Sequence, residues 1–221
     1  IGPIANTFYF SQVPIAALVE EGEGMRIRQL LGMKLFWIFG LLMLCSGASE
    51  LAMSQWASAF AESGLKVSKT VGDLAGPCLF AVLMGSSRVF YAKFSEKIRL
   101  SKFMTASGIL CVCSYLLAVF APVPVLGLLG CALCGLSVGI MWPGTFSLAA
   151  AACPKGGTAM FALFALAGDL GCTTGPSLVG FVSGKFNGAL QTGLAAAIVF
   201  PFLFLLGLAL LKRNKDHTAE L

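Results

Sequence analysis

Charge is scarce in this 221-residue chain: Asp, Glu, Lys and Arg together supply 11% of it. A soluble domain needs a charged exterior, and so few charges cannot make one. Histidine is scarcer still, since His217 stands alone near the C-terminus. No histidine-based metal or catalytic cluster can be built from it, so neither a metal nor a cofactor is implied. Enzymes working at membranes need clustered nucleophiles, acids, bases or metal ligands. Nothing of that kind is visible, and the chain does not read as an enzyme. Long polar runs are also missing, which leaves no room for a sizeable soluble domain. There is no signal peptide, and the chain begins at Ile1 rather than Met, which reads as a piece whose natural start lies upstream.

What is present is apolar length. Hydrophobic residues make up 57% of the chain, and its mean hydropathy is +0.88. Six long apolar stretches occupy 36–60, 71–91, 103–121, 125–151, 158–183 and 191–211. About 20 apolar residues let a helix cross a hydrocarbon core of roughly 30 Å. In lipid every backbone donor must be paired within its own segment, so such stretches are helices. The expectation is an all-α integral membrane protein of six transmembrane helices at 36–211, lying in a lipid bilayer. Residues 1–35 read as a cytoplasmic linker and 212–221 as a cytoplasmic tail. Residues 1–19 are interrupted by Pro3 and Pro14 and do not make a seventh span.

Lys and Arg distribution sets orientation. One side holds Arg26, Arg28 and Lys34, then Arg88, Lys93, Lys97, Arg99 and Lys102, then Lys155, and finally Lys212, Arg213 and Lys215. The other holds Lys66, Lys69 and Lys185. Both ends of the segment are therefore expected in the cytoplasm, at the plasma membrane. The formal charge of +5 is used by topology and anionic headgroups, and no nucleic-acid partner is implied. Seven of the eight cysteines fall within the apolar stretches and Cys153 in an inner loop, which excludes a disulfide framework. The Cys131–Cys134 spacing reads as helix packing rather than as a metal or redox pair.

Two carboxyl groups stand at membrane depth, where an ionisable side chain needs a partner or a purpose. Glu50 lies roughly 20 Å, and Asp169 roughly 17 Å, from the inner end of its span at 1.5 Å per residue. Both are near the midplane, where secondary transporters hold substrate and coupling ions. No Lys or Arg is expected at that depth. A carboxyl without a counter-charge in such surroundings can exchange a proton, as a proton-coupled carrier requires. The alternative is a neutral, hydrogen-bonded structural carboxyl. Ser46 and Ser54 share a face with Glu50, and Gln55 and Trp56 add an amide and a ring. Thr173 and Pro176 share the face of Asp169. Asp73, at the outer end of the second stretch, suits a first helical turn.

Glycine and proline mark the places where helices bend or cross. Pro143 cannot donate to the carbonyl of Gly139, so the fourth span is expected to break there, beside Trp142 and Phe146. That aromatic pair serves either to stack on a sugar ring or to pack the interior. Gly171 to Gly175, Pro176 and Gly180 form a row of small residues suited to a tight crossing. Gly139, Pro143, Gly175 and Pro176 are thus the expected kink and gating positions. A faint repeat is present: Gly72-Asp73-Leu74 before Gly76-Pro77 matches Gly168-Asp169-Leu170 before Gly175-Pro176. Gly47-x-Ser49-x-x-x-Met53 likewise matches Gly135-x-Ser137-x-x-x-Met141. Spans one to three and four to six then make two three-helix units of opposite topology.

The run Gly47-Ala48-Ser49-Glu50 followed by Trp56, and the stretch from Gly135 through Trp142-Pro143 to Leu148, resemble the carboxy-terminal half of a major facilitator superfamily transporter. Within it they resemble the fucose permease-like sugar carriers. Gly85-Ser86-Ser87-Arg88, with Lys93, Lys97 and Arg99, resembles the superfamily's basic loop motif but lacks its acid, leaving Arg88 to cap a helix end or bind lipid. The resemblance implies six of twelve helices in a 3+3 inverted-repeat fold, with an amino-terminal six-helix half as partner. It implies alternating-access symport of a small polar, sugar-like solute with protons. Glu50, Gln55, Trp56, Trp142 and Asp169 are the implied solute- and proton-binding residues. Two other readings stay open: a membrane scaffold or sensor that keeps the fold without transport, and a six-span half-transporter acting as a dimer.

Overall fold

The computed structural model describes residues 24–58 and 74–219, with Asn6, Ser11, Val13 and Glu62 as isolated positions. Asp73, Gly72, Lys66, Lys69 and most of the loop after the first span lie outside the described residues. The described chain is helical: α1 Ile27–Leu31, α2 Lys34–Ser54, α3 Leu79–Phe94, α4 Leu100–Phe120, α5 Pro124–Val138, α6 Met141–Ala152, α7 Gly157–Lys185, α8 Leu190–Ala197 and α9 Val199–Ala219. A π-helical turn over Leu74–Cys78 leads into α3 and contains Pro77.

Five helical stretches are long and apolar enough to cross a membrane: Lys34–Ser54, Leu100–Phe120, Val125–Ala152, Gly157–Lys185 and Leu190–Asn214. The second expected span is represented by α3 and the π turn before it. The last helix does not stop at the end of its apolar stretch. It runs on through Ala219, so described residues of the tail expected at 212–221 continue α9. Part of the expected linker is also ordered into the bundle. Leu30 of α1 is fully buried, and the Met25 N–H donates to the Lys155 carbonyl at 2.9 Å. Trp37, 61% exposed, donates its indole N–H to the Leu31 carbonyl at 2.9 Å. A ring with one apolar and one hydrogen-bonding end suits the membrane–water boundary.

The centre of the bundle is α2, which packs on α5, α6, α7, α8 and α9. Its most extensive partner is α7, and glycine is the reason. A Cβ built on Gly171 would meet the Leu44 carbonyl, one on Gly175 the Ala48 carbonyl, and one on Gly47 the Gly168 carbonyl. Without side chains at these positions the two backbones lie against each other, as small residues in membrane helices permit. The stacked rings of Phe36 and Phe164, with centroids 5.1 Å apart, lie towards the N-terminal ends of the two helices. On the other flank α5 packs on α3 and α4, with Gly135 against the Phe80 carbonyl.

Pro176 lies inside α7 without ending it, whereas Gly76-Pro77 lies in the π turn. The two Gly- and Pro-containing ends of the first matching pair therefore adopt different local structures. At the end of α7 the chain turns through Asn187 and Gly188 with positive φ. The Gly188 N–H returns to the Ser183 carbonyl at 2.8 Å, a left-handed C-terminal turn of the kind Asn and Gly favour.

Candidate functional site

The expected break in the fourth span is present and local. α5 ends at Val138 and α6 starts at Met141, while the Gly144 N–H still reaches the Ile140 carbonyl at 2.8 Å. Pro143 has no N–H to give the Gly139 carbonyl. That carbonyl is nevertheless satisfied, because the Arg88 Nε–H donates to it at 2.9 Å. A cation from α3 thus takes the place of the missing helical donor.

This overturns two expectations. Gly85–Arg88 lie inside α3, within the stretch expected at 71–91, and Arg88 donates to the Gly139 carbonyl of another span instead of capping the end of its own helix. A basic group also does reach membrane depth. Gly139 is halfway along the Val125–Ala152 span, about 20 Å from either end at 1.5 Å per residue. Sequence position placed Arg88 towards the inner end of its stretch, but a long side chain carries its head far from its own Cα.

Arg88, Glu50, Trp142, Pro143, Phe146 and Cys172 line one cavity of about 510 Å³. That volume is in the range of small-molecule sites. Four helices contribute: α2 brings Glu50, α3 Arg88, α6 the aromatic pair and Pro143, and α7 Cys172. Glu50 and Arg88 interact electrostatically across it. Trp142 and Phe146 meet edge to face, centroids 6.2 Å apart at 63°, and not as a parallel stack. A Cβ on Gly168 would strike the Trp142 ring, so the bare α7 backbone there gives the indole its resting place. The Trp142 indole N–H is buried and has no hydrogen-bond partner among the described residues.

Of the residues singled out from sequence, Glu50, Trp142 and Pro143 are gathered at this cavity. Gly139 adjoins it through Arg88. Gln55 follows α2 as its C-cap and is exposed. Trp56 turns to α7, where its indole N–H approaches the Pro176 carbonyl at 3.4 Å; neither residue is in the cavity lining. Asp169 is exposed and outside the lining, although it interacts electrostatically with Cys172. With Thr173 and Ser177 it makes an exposed polar stripe on α7. Both hydroxyls donate to carbonyls of their own helix, Asp169 at 3.0 Å and Thr173 at 2.7 Å. Ser46 beside Glu50 is likewise committed, donating to the Leu42 carbonyl at 2.7 Å. Gly175 and Pro176 are buried at the α2–α7 crossing.

Sequence reasoning missed Arg88 and Cys172 as cavity residues. A signal for Arg88 existed: a proline inside a span frees one carbonyl, and a freed carbonyl at that depth demands a donor. Among the described residues no group of three or more His, Cys, Asp or Glu is placed to hold a metal ion.

Searches of curated proteins and of solved structures returned no match. The family model of the Major Facilitator Superfamily matches residues 4–176. That span includes the first four apolar stretches, the fifth as far as Pro176, and every residue lining the cavity. Apolar helices, a cavity with opposed charges at mid-span and this match agree: the chain belongs to the major facilitator superfamily, whose members carry small solutes across membranes.

Proposed function

We propose that this chain carries a small polar, sugar-sized solute across the plasma membrane together with protons, by alternating access. The observation that supports it is the mid-span cavity, where Glu50 faces a solute-sized space beside an aromatic wall. A carboxyl there is able to take up and release a proton as the cavity opens to either side. Trp142 and Phe146 offer apolar faces to a ring, while Glu50 and Arg88 offer polar contacts. The exposed stripe of Asp169, Thr173 and Ser177 is too polar for lipid. In this reading it faces the translocation path and the amino-terminal six-helix half, and the two halves rock about the glycine-lined crossings. Spans one to three and four to six are the two inverted units, and both ends of the segment are cytoplasmic.

The test is uptake by the full-length transporter in proteoliposomes under an inward acid gradient. Glu50→Gln keeps the side chain's size and removes the titratable proton. Coupled accumulation is expected to be lost while the protein stays folded and monodisperse. Wild-type accumulation by that variant would remove Glu50 from the coupling role.

A further inference from the structure

Among the described residues the guanidinium of Arg88 is only partly used. Arg carries five N–H donors in a planar fork, and the Gly139 carbonyl takes the one on Nε. Four remain on a side chain that lines the cavity. The bond to Gly139 also fixes the plane of the fork, since Nε is its stem. The cavity therefore offers the remaining Arg88 donors beside the Glu50 carboxyl, and an occupant that takes those donors has to bring acceptor oxygens.

Charge narrows the class. Arg88 and Glu50 are the charged residues of the lining. With Glu50 ionised these two charges balance among the described residues of the lining. With Glu50 protonated one positive charge is left, and a monoanion restores the balance. A phosphate monoester, at close to two negative charges near neutral pH, leaves an excess that one guanidinium does not offset. A carboxylate matches the flat two-donor edge of Arg in both geometry and charge.

We propose that Arg88, held in place by the carbonyl that Pro143 leaves without a helical donor, is the anchor for a carboxylate on the carried solute. The solute is then a monocarboxylate of sugar size, an aldonic or uronic acid. It enters with one proton on Glu50, so that each transport event moves no net charge. This deepens the transport reading and rests on it. Among the described residues the charged group acting on Glu50 is Arg88 from α3, and Glu50 itself acts on the Cys172 thiol of α7. Asp169, three residues before Cys172 on α7, acts on that thiol. The elements α1, α4, α5, α6, α8 and α9 bring no charged group to Glu50.

The experiment is uptake of labelled gluconate, glucuronate, glucose and glucose 6-phosphate by the full-length transporter in proteoliposomes. An acid gradient is imposed, and membrane potential is set separately with potassium and valinomycin. Gluconate or glucuronate is expected to enter in preference to glucose, driven by the acid gradient and unaffected by the potential. Arg88→Lys keeps the charge but loses the fork, and should raise the KM for the acid about tenfold or more, the scale of a charge-assisted hydrogen bond. Arg88→Gln should abolish uptake of the acid, with thermal unfolding in detergent reporting whether the fold survives. Wild-type protein guards against a misfolded variant, because its solute selectivity alone decides the class. Uptake of glucose that the acids neither follow nor inhibit would overturn the carboxylate anchor and leave the transport reading standing. Preference for glucose 6-phosphate would overturn the single-cation argument. Acid uptake that responds to potential would overturn the charge balance. Uptake of none of the four by folded protein would remove both readings.

Discussion

At the scale of single residues, the proline-induced break and its repair matter most. Pro143 deletes one hydrogen bond of the fourth span, and Arg88 returns one from another helix. Pro143→Ala gives position 143 an N–H again, in competition with Arg88 for the Gly139 carbonyl. The span should straighten and gain stability on the scale of a helix-interior proline, about 3 kcal/mol at most. Transport should fall because the guanidinium loses its fixed orientation. Paired measurements of thermal unfolding and uptake check this: greater stability with reduced turnover is expected, and unchanged values of both would mean Arg88 does not depend on the break. Trp142 shows how a neighbour sets a residue's use. The tryptophan was legible as a candidate from its place beside the proline. Its rest against Gly168 was not, because that contact joins residues of two helices.

At the scale of elements, the α2–α7 pair is governed by what is absent. Gly171 and Gly175 let α7 approach the carbonyls of Leu44 and Ala48. Overpacking such a contact costs about 1–3 kcal/mol. Gly171→Leu should therefore lower the thermal midpoint of the protein in detergent. Gly184→Leu, on the same helix but with nothing within 4 Å of its Cβ, should leave the midpoint close to wild type. Equal effects from the two would show that the crossing does not limit stability. The row of small residues was readable as a crossing from sequence, since glycine at helical spacing has few other uses in a membrane. Which helix crosses it was not readable, because the row says nothing of the surface it meets. Likewise the second apolar stretch was visible, but not the π turn that opens it; Pro77 was visible, yet prolines are tolerated in membrane helices in several ways.

At the scale of the whole molecule, orientation is the property with an independent readout. In the proposed topology the α6–α7 turn is cytoplasmic and the α7–α8 turn is outside. Lys155 and Asn187, exposed in those two turns, are suited to cysteine substitution. Lys155→Cys should react with a membrane-impermeant maleimide only in inside-out vesicles, and Asn187→Cys only in intact cells. The native Cys153 beside the first position should contribute little signal near neutral pH. Burial pushes its thiol above the usual value of 9.0, so the reactive thiolate appears only as pH rises beyond that. Labelling of both positions from the opposite sides would invert the topology.

The amino-acid sequence by itself determined that the chain is helical and membrane-spanning. It also determined where carboxyls, prolines and glycines fall along each helix. Those properties follow from composition and from periodicity within a segment, because a lipid environment leaves the backbone no other way to satisfy its hydrogen bonds. Only the tertiary structure decided that Glu50, Arg88, Trp142 and Cys172 share one cavity, and that Gln55, Trp56 and Asp169 stand outside it. Residues on four helices meet there, and their meeting depends on how each helix is rotated and how far its side chains reach. Arg88 illustrates the reason most clearly: its Cα belongs to α3, and its Nε–H acts on a carbonyl at the middle of another span.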